Sequence, residues 1–199
     1  MKILLATENK GKLKEFQALF EPTGHKLVSL ADYDVTQAEE TGQTFVENAL
    51  LKARNASYAT KLPCLADDSG LAVNALNGKP GIYSARYALD EIEPGSSQDH
   101  ANNKKLLREM HMHTDRRAHF YCALVLLRHA DDPAPLMATG QWQGHIATQA
   151  SGQNGFGYDP LFIDKTTGIT AATLTADEKH SRSHRGLAWK VLAPQLEGL

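Results

Sequence analysis

Residues 65–86 read LADDSGLAVNALNGKPGIYSAR. Two adjacent carboxylates, Asp67 and Asp68, sit between apolar residues at 65–66 and a second apolar run at 71–73. Acids in such a setting have lost part of their water, so a cation or several donors must compensate them. Any fold for this chain must therefore bring positive charge to this point. A hard divalent cation is the simplest partner, because oxygen ligands suit Mg²⁺. Residues 71–76 are expected as a strand, with turns at Asn77-Gly78 and Pro80-Gly81.

The rest of the chain alternates in period. Residues 2–7 read as a buried strand that opens into a loop. A helix is expected from about Gly11 to Phe20, with Leu13, Phe16, Leu19 and Phe20 on one face and Pro22 and Gly24 stopping it. A strand over 25–30 and an acidic loop over 31–43 follow. Thr44 and Glu47 have capping-box spacing and open a helix carrying Phe45, Ala49, Ala53 and Ala56. Lys52 lies on or near that apolar stripe. An ammonium aimed at a specific group and a lysine snorkelling from a core-facing helix both fit.

Residues 89–97 are expected as an exposed loop and 99–110 as an amphipathic helix. The aromatic and β-branched run HFYCALVLL at 119–127 reads as a central strand, and 136–146 as a hairpin arm. A short strand at 161–163 precedes a second capping box, Thr175 with Glu178. Ser183-His184-Arg185 opens a last helix over 187–196. Strands and helices alternate early and strands cluster in the middle, which gives a mixed α/β fold, a single domain over 1–199 with two lobes.

A formal net charge of −2 argues against a general nucleic-acid or membrane-surface binder. Any polyanion must be met by a local cluster of bases. No run approaches the ~18 apolar residues of a membrane span, and the N-terminal apolar run is too short for a signal peptide. The expectation is a cytoplasmic protein with no nucleic-acid or membrane partner. Cys64 and Cys122 lie in strand-like runs and are expected as buried, reduced thiols. His111-x-His113, at a helix end with no acid nearby, is not read as a metal site.

Four groups of residues carry chemistry. The loop Thr7, Glu8, Asn9, Lys10, Gly11 and Lys12 joins a strand to a helix start, the local geometry that offers N–H groups to an anion. It lacks the Walker A spacing, and on residue types alone a solvated, lysine-rich helix start fits it somewhat better. Glu39 and Glu40 join Asp67 and Asp68 as possible metal-binding acids. The stretch SGQNGFGYDP at 151–160 holds three glycines and two aromatics, suiting a flat ligand or a mere turn cluster. Lys179 follows the second capping box. His184 and Arg185 at a helix N-terminus oppose its dipole, so they are expected to serve an anionic ligand. A nucleoside triphosphate needs all of these: cations and N–H groups for phosphate, carboxylates for Mg²⁺, an aromatic wall for the base.

Taken together the motifs resemble the inosine triphosphate pyrophosphatase (Ham1-like) family, its bacterial branch above all. They are ATENKGK at 6–12, EETGQTFVENALLKA at 39–53, ADDSGLAV at 66–73, PGIYSARY at 80–87, GFGYDPLF at 155–162, LTADEK at 174–179 and SHRG at 183–186. The resemblance implies an elongated two-lobed α/β fold with a central mixed sheet, flanking helices and a substrate cleft between the lobes. It implies a homodimer that hydrolyses (d)ITP and (d)XTP to the monophosphate and pyrophosphate with Mg²⁺. By the same resemblance Thr7, Asn9 and Lys12 hold phosphate within the 7–12 loop, and Lys52 binds phosphate too. Glu40 and Asp68 bind metal, Asp68 is the catalytic proton acceptor, and Ser69 touches substrate. Phe156, Gly157, Tyr158 and Asp159 form the base-and-sugar loop, and Lys179, His184 and Arg185 make the last substrate contacts.

One residue departs from the family pattern: the carboxylate of Glu8 stands where many bacterial relatives have an uncharged or basic residue. Two rival readings are a Maf-like pyrophosphatase with other base preferences and a nucleotide-binding module without catalysis.

Overall fold

The computed structural model describes residues 1–198. In chain order the elements are β1 (Lys2–Leu5), α1 (Lys10–Phe20), β2 (Lys26–Ser29), α2 (Phe45–Thr60), β3 (Cys64–Val73), α3 (Gln98–Glu109), β4 (Arg117–Leu127), β5 (Leu136–Ile146), β6 (Phe162–Asp164), α4 (Ala176–Arg182) and α5 (His184–Leu192). The six strands form one sheet in the order β2-β1-β3-β4-β5-β6. It is mixed: β1 runs parallel to β2 and to β3, whereas β5 and β6 are antiparallel. The mixed α/β expectation therefore holds.

Two compact units share the chain. The first holds Met1–Asp68, Cys122–Gly140 and the segment from His184 onward; the second holds Ser69–Tyr121 and Gln141–Ser183. Each has its own core. In the first, Ile3, Leu5, Phe16, Phe20, Leu65, Leu124 and Leu126 pack with Trp189 and Leu192. The apolar period read in α1 is what places Phe16 and Phe20 there, and the Phe20 ring centroid lies 4.5 Å from that of Trp189. β5 contributes Gly140 because nothing larger fits. A Cβ there would stand 2.2 Å from the His184 carbonyl oxygen and 2.5 Å from the Ala188 nitrogen.

The second core is aromatic. Phe162 lies 4.6 Å from Phe120 and 4.9 Å from Trp142, centroid to centroid. Leu71, Val73, Leu106 and Leu161 surround them. The Trp142 indole N–H is satisfied by Asp164 Oδ1 at 2.9 Å, so the ring is buried without an orphaned donor.

Most boundaries fall within a residue or two of the sequence reading, and two differ by more. β3 is a single ten-residue strand running through the acids, and the expected strand at 71–76 is its second half, closed by a 3-10 turn at Asn74–Leu76. Cations received from both faces let a strand continue through two charged residues. α5 ends at Leu192 rather than near 196, and a 3-10 segment continues it. Cys64 and Cys122 are free and buried, as expected. Burial pushes the Cys64 thiol up to about 12. No helix among the described residues is long and apolar enough to cross a membrane.

Candidate active site

Successive side chains of a strand point to opposite faces of the sheet. The two neighbouring acids of β3 accordingly have separate partners, and their surroundings are different in kind.

Asp67 is buried in a ring of charge. It accepts from the Lys12 ammonium, from Arg185 Nε at 3.0 Å and from the Cys122 thiol at 3.2 Å. Arg185 NH1 in turn donates to Glu15 Oε2 at 2.9 Å. Two bases thus meet two acids, and the set is neutral. Burial works against the Asp67 carboxylate, but Lys12 and Arg185 outweigh it and hold the group far below the usual range. The Arg185 guanidinium stays charged despite its burial because Asp67 and Glu15 face it. The conflict between Arg185 and the α5 dipole is therefore met by carboxylates of the protein. His184 beside it is also buried. Glu15 was not singled out from sequence, although it lies one turn after Lys12 on α1, the spacing that puts two side chains on one helix face.

Asp68 meets Lys52, whose ammonium donates to Asp68 Oδ1 at 2.5 Å and to Glu40 Oε1 at 3.2 Å. The ambiguity over Lys52 is resolved: it is aimed at the acids. Burial opposes its charge, yet Asp68 and Glu40 more than compensate and raise its pKa. Burial raises the Asp68 carboxyl above its ordinary value in spite of Lys52 and Lys12 nearby, which makes it a better proton acceptor. Glu40 is held near this pair by the loop before α2. Gly42 N donates to Asn48 Oδ1 at 2.8 Å, and a Cβ on Gly42 would lie 2.7 Å from that same oxygen. The Thr44–Glu47 capping box then starts α2. Glu39 is exposed.

Asp68 is 6% exposed, and its second oxygen, Oδ2, is buried without a hydrogen-bond partner. A carboxylate oxygen in that state is costly unless a cation or donor reaches it. A hard divalent ion fits this donor set. No group of three or more His, Cys, Asp or Glu able to hold a metal converges among the described residues. Glu40 and Asp68 are the two carboxylates that would hold such an ion.

The 7–12 loop leaves β1 next to β3. Ala6 N donates to Leu65 O at 2.8 Å. Thr7 Oγ1 accepts from Asn9 N at 3.2 Å, and Asn9 Oδ1 caps α1 by accepting from Lys12 N at 3.0 Å. Glu8, Asn9 and Lys10 are exposed, while Gly11 and Lys12 are half-buried. Glu8 thus stands in solvent.

In the second unit, β3 continues with half-buried Ser69, and the glycine loop is pinned at three points. Asp159 Oδ2 accepts from Phe156 N at 2.9 Å and from Lys179 Nζ at 2.6 Å. Lys179 Nζ also lies 4.9 Å from the Phe156 ring centroid, a cation–π contact. Gly155 takes φ +76°, and a Cβ there would stand 2.0 Å from Asp159 Oδ2. α3 holds Gly157 by both backbone groups: Asp99 Oδ2 accepts from its N–H and Asn103 Nδ2 donates to its carbonyl, each at 2.8 Å. Asp99 and Asn103 were missed from sequence; their spacing of four on one helix face was the available signal. Tyr158 is packed in the second core, its hydroxyl donating to Ser84 O at 2.9 Å. Phe156 is the half-buried aromatic of the loop.

A strand-borne acid facing a lysine and a second carboxylate, with a capped helix start alongside, is what the first unit of this mixed α/β fold presents. The sequence profile of the Ham1 family matches residues 3–195. The chain belongs to that family. A protein of Thioalkalivibrio sulfidiphilus named dITP/XTP pyrophosphatase is 51% identical over 200 residues, covering all of both chains. One of the same name from Pectobacterium atrosepticum is 51% identical over 197 residues, 98% of each. Among solved structures, a Ham1 protein of Coxiella burnetii superposes with a TM-score of 0.89 at 42% identity over the whole of both chains. The Staphylococcus aureus Ham1 protein gives 0.84 at 41%, over 100% of this chain and 99% of that one.

Proposed function

We propose that this chain hydrolyses the triphosphates of deaminated purines, (d)ITP and (d)XTP, to the monophosphate and pyrophosphate, with Mg²⁺ as cofactor. The observation that carries the reading is Asp68: a buried strand carboxylate with a raised pKa, one oxygen on Lys52 and the other without a protein partner. The names of the half-identical relatives support the substrate class.

Mg²⁺, held by Glu40 and Asp68, would neutralise phosphate charge and hold reacting oxygens in place. Asp68 takes a proton from the water that attacks the α-phosphorus. The bond from that phosphorus to the bridging oxygen breaks, and pyrophosphate leaves with the electron pair. Lys52 and Lys12 stabilise charge on the departing group, and Lys179 is by resemblance a further substrate contact. N–H groups at the α1 start receive phosphate oxygens. Phe156 offers a ring face to the base. Donors directed at the 6-oxo edge, with His184 in that role by resemblance, favour these purines over adenine, while Arg185, which the same resemblance names, is held by Asp67 and Glu15. The same reading makes the enzyme a cytoplasmic homodimer. It acts on a free nucleotide and not on nucleic acid.

Pyrophosphate release from ITP, XTP, GTP and ATP with Mg²⁺ tests this. ITP and XTP turnover should far exceed that of ATP. A preference for ATP overturns the reading, and strong activity confined to modified pyrimidine triphosphates favours a Maf-like enzyme.

A further inference from the structure

The two acids proposed to hold Mg²⁺ are joined by a cation that belongs to the chain. Lys52 Nζ contacts Asp68 Oδ1 at 2.5 Å and Glu40 Oε1 at 3.2 Å. Its position follows from α2, whose capping box fixes where the helix begins, so Lys52 falls two turns along. The Lys52 side chain is only 14% exposed and that of Asp68 8%, so water screens this contact poorly. A divalent ion reaching the same carboxylates meets a positive charge already on them, and like charges a few ångströms apart repel strongly in a partly buried site.

We infer that Lys52 is an internal counter-ion which competes with the divalent cation for Glu40 and Asp68, and that a triphosphate ends the competition by giving the ammonium another anionic partner. The inference rests on the proposed metal site but not on the identity of the base. Its consequence is an order of preference. The free protein holds metal weakly, and metal and triphosphate strengthen each other's binding. By linkage, whatever factor the nucleotide gains from the metal the metal gains from the nucleotide. Lys52 would thereby guard against occupation of the site by metal alone, and its transfer to phosphate would free Asp68 Oδ1.

Mn²⁺ binding to the nucleotide-free protein, followed by electron paramagnetic resonance, tests this without any turnover. Lys52→Met should bind Mn²⁺ at least about tenfold more tightly than the wild type. Lys52→Arg, which keeps the charge, should stay close to the wild type. Equal or weaker Mn²⁺ binding by Lys52→Met overturns the inference. If that variant fails to fold alone, the wild type suffices. The Lys52 ammonium resonance of ¹⁵N-lysine-labelled protein should shift or exchange away as Mg²⁺ is added, and an unmoved resonance at saturating Mg²⁺ overturns the inference. The two readings fail separately. ITP turnover with no gain in Mn²⁺ affinity removes the counter-ion role and leaves the function. A gain in affinity without ITP turnover does the reverse.

Discussion

The two units hold their working segments with different materials. The first is organised around charge: Lys12, Asp67, Arg185 and Glu15 are ion-paired beneath the 7–12 loop, and Lys52, Asp68 and Glu40 stand on the opposite face of β3. The second is organised around rings: Phe120, Trp142 and Phe162 form its centre, and its loop is tied by backbone hydrogen bonds at Gly157 and one ion pair, Asp159 with Lys179. Ion pairs can hold charged groups in place where phosphate and metal must be met. Rings and glycines suit a surface that must be flat and closely approached. The difference teaches that burial alone does not mark a catalytic acid. Asp67 is more deeply buried than Asp68, at 1% against 6% exposed, yet its carboxylate is engaged by Lys12, Arg185 and Cys122.

The sharpest break of the comparison is Asp68→Asn. Turnover of ITP should fall by roughly 10²–10⁴-fold, the usual worth of a proton acceptor, while the melting temperature stays within a few degrees. Near-normal turnover removes Asp68 from its role. Asp67→Asn should act the other way round. It leaves Arg185 and Lys12 short of one negative charge in a buried set, at a cost of about 3–5 kcal/mol in stability by urea unfolding. A variant with full stability but low turnover would make Asp67 the chemical acid and exchange the two roles. In the second unit, Gly155→Ala sets a methyl group against Asp159 and should loosen the loop. The expected loss in kcat/KM for ITP is roughly 10- to 100-fold. Most of it should fall in KM, because the reacting end is left intact. A loss confined to kcat would place the loop in the chemistry.

Much of the fold was legible because its signals are local. The Thr44–Glu47 and Thr175–Glu178 capping boxes, the apolar stripe of α1 and the β-branched run of β4 each occur within a few residues. The site was legible in part. Asp68, Lys52 and Glu40 were named from sequence, and the structure brings them together. The pairing of Arg185 with Asp67 was not legible, because 118 positions separate them and only the folding of α5 against β3 makes them neighbours. Glu15, Asp99 and Asn103 were missed for a similar reason. A polar residue on an amphipathic helix looks solvated until something packs over it. The strand through the acids was legible only in its second half: a strand starting at 71 leaves Asp67 and Asp68 outside it, whereas β3 runs from Cys64 through both.

That alternation along β3 also governs how the gene can change. Substitutions in 64–73 are judged one side chain at a time. Gain or loss of a single codon upstream of the acids within the strand is judged all at once, since it turns every later residue to the other face. The acid that balances Arg185 would be presented to Lys52, and Asp68 would face Arg185 and Lys12. Length variation in this lineage should therefore collect outside the strand, in segments such as 89–97, and the spacing from Cys64 to Asp68 should be inherited as a fixed measure.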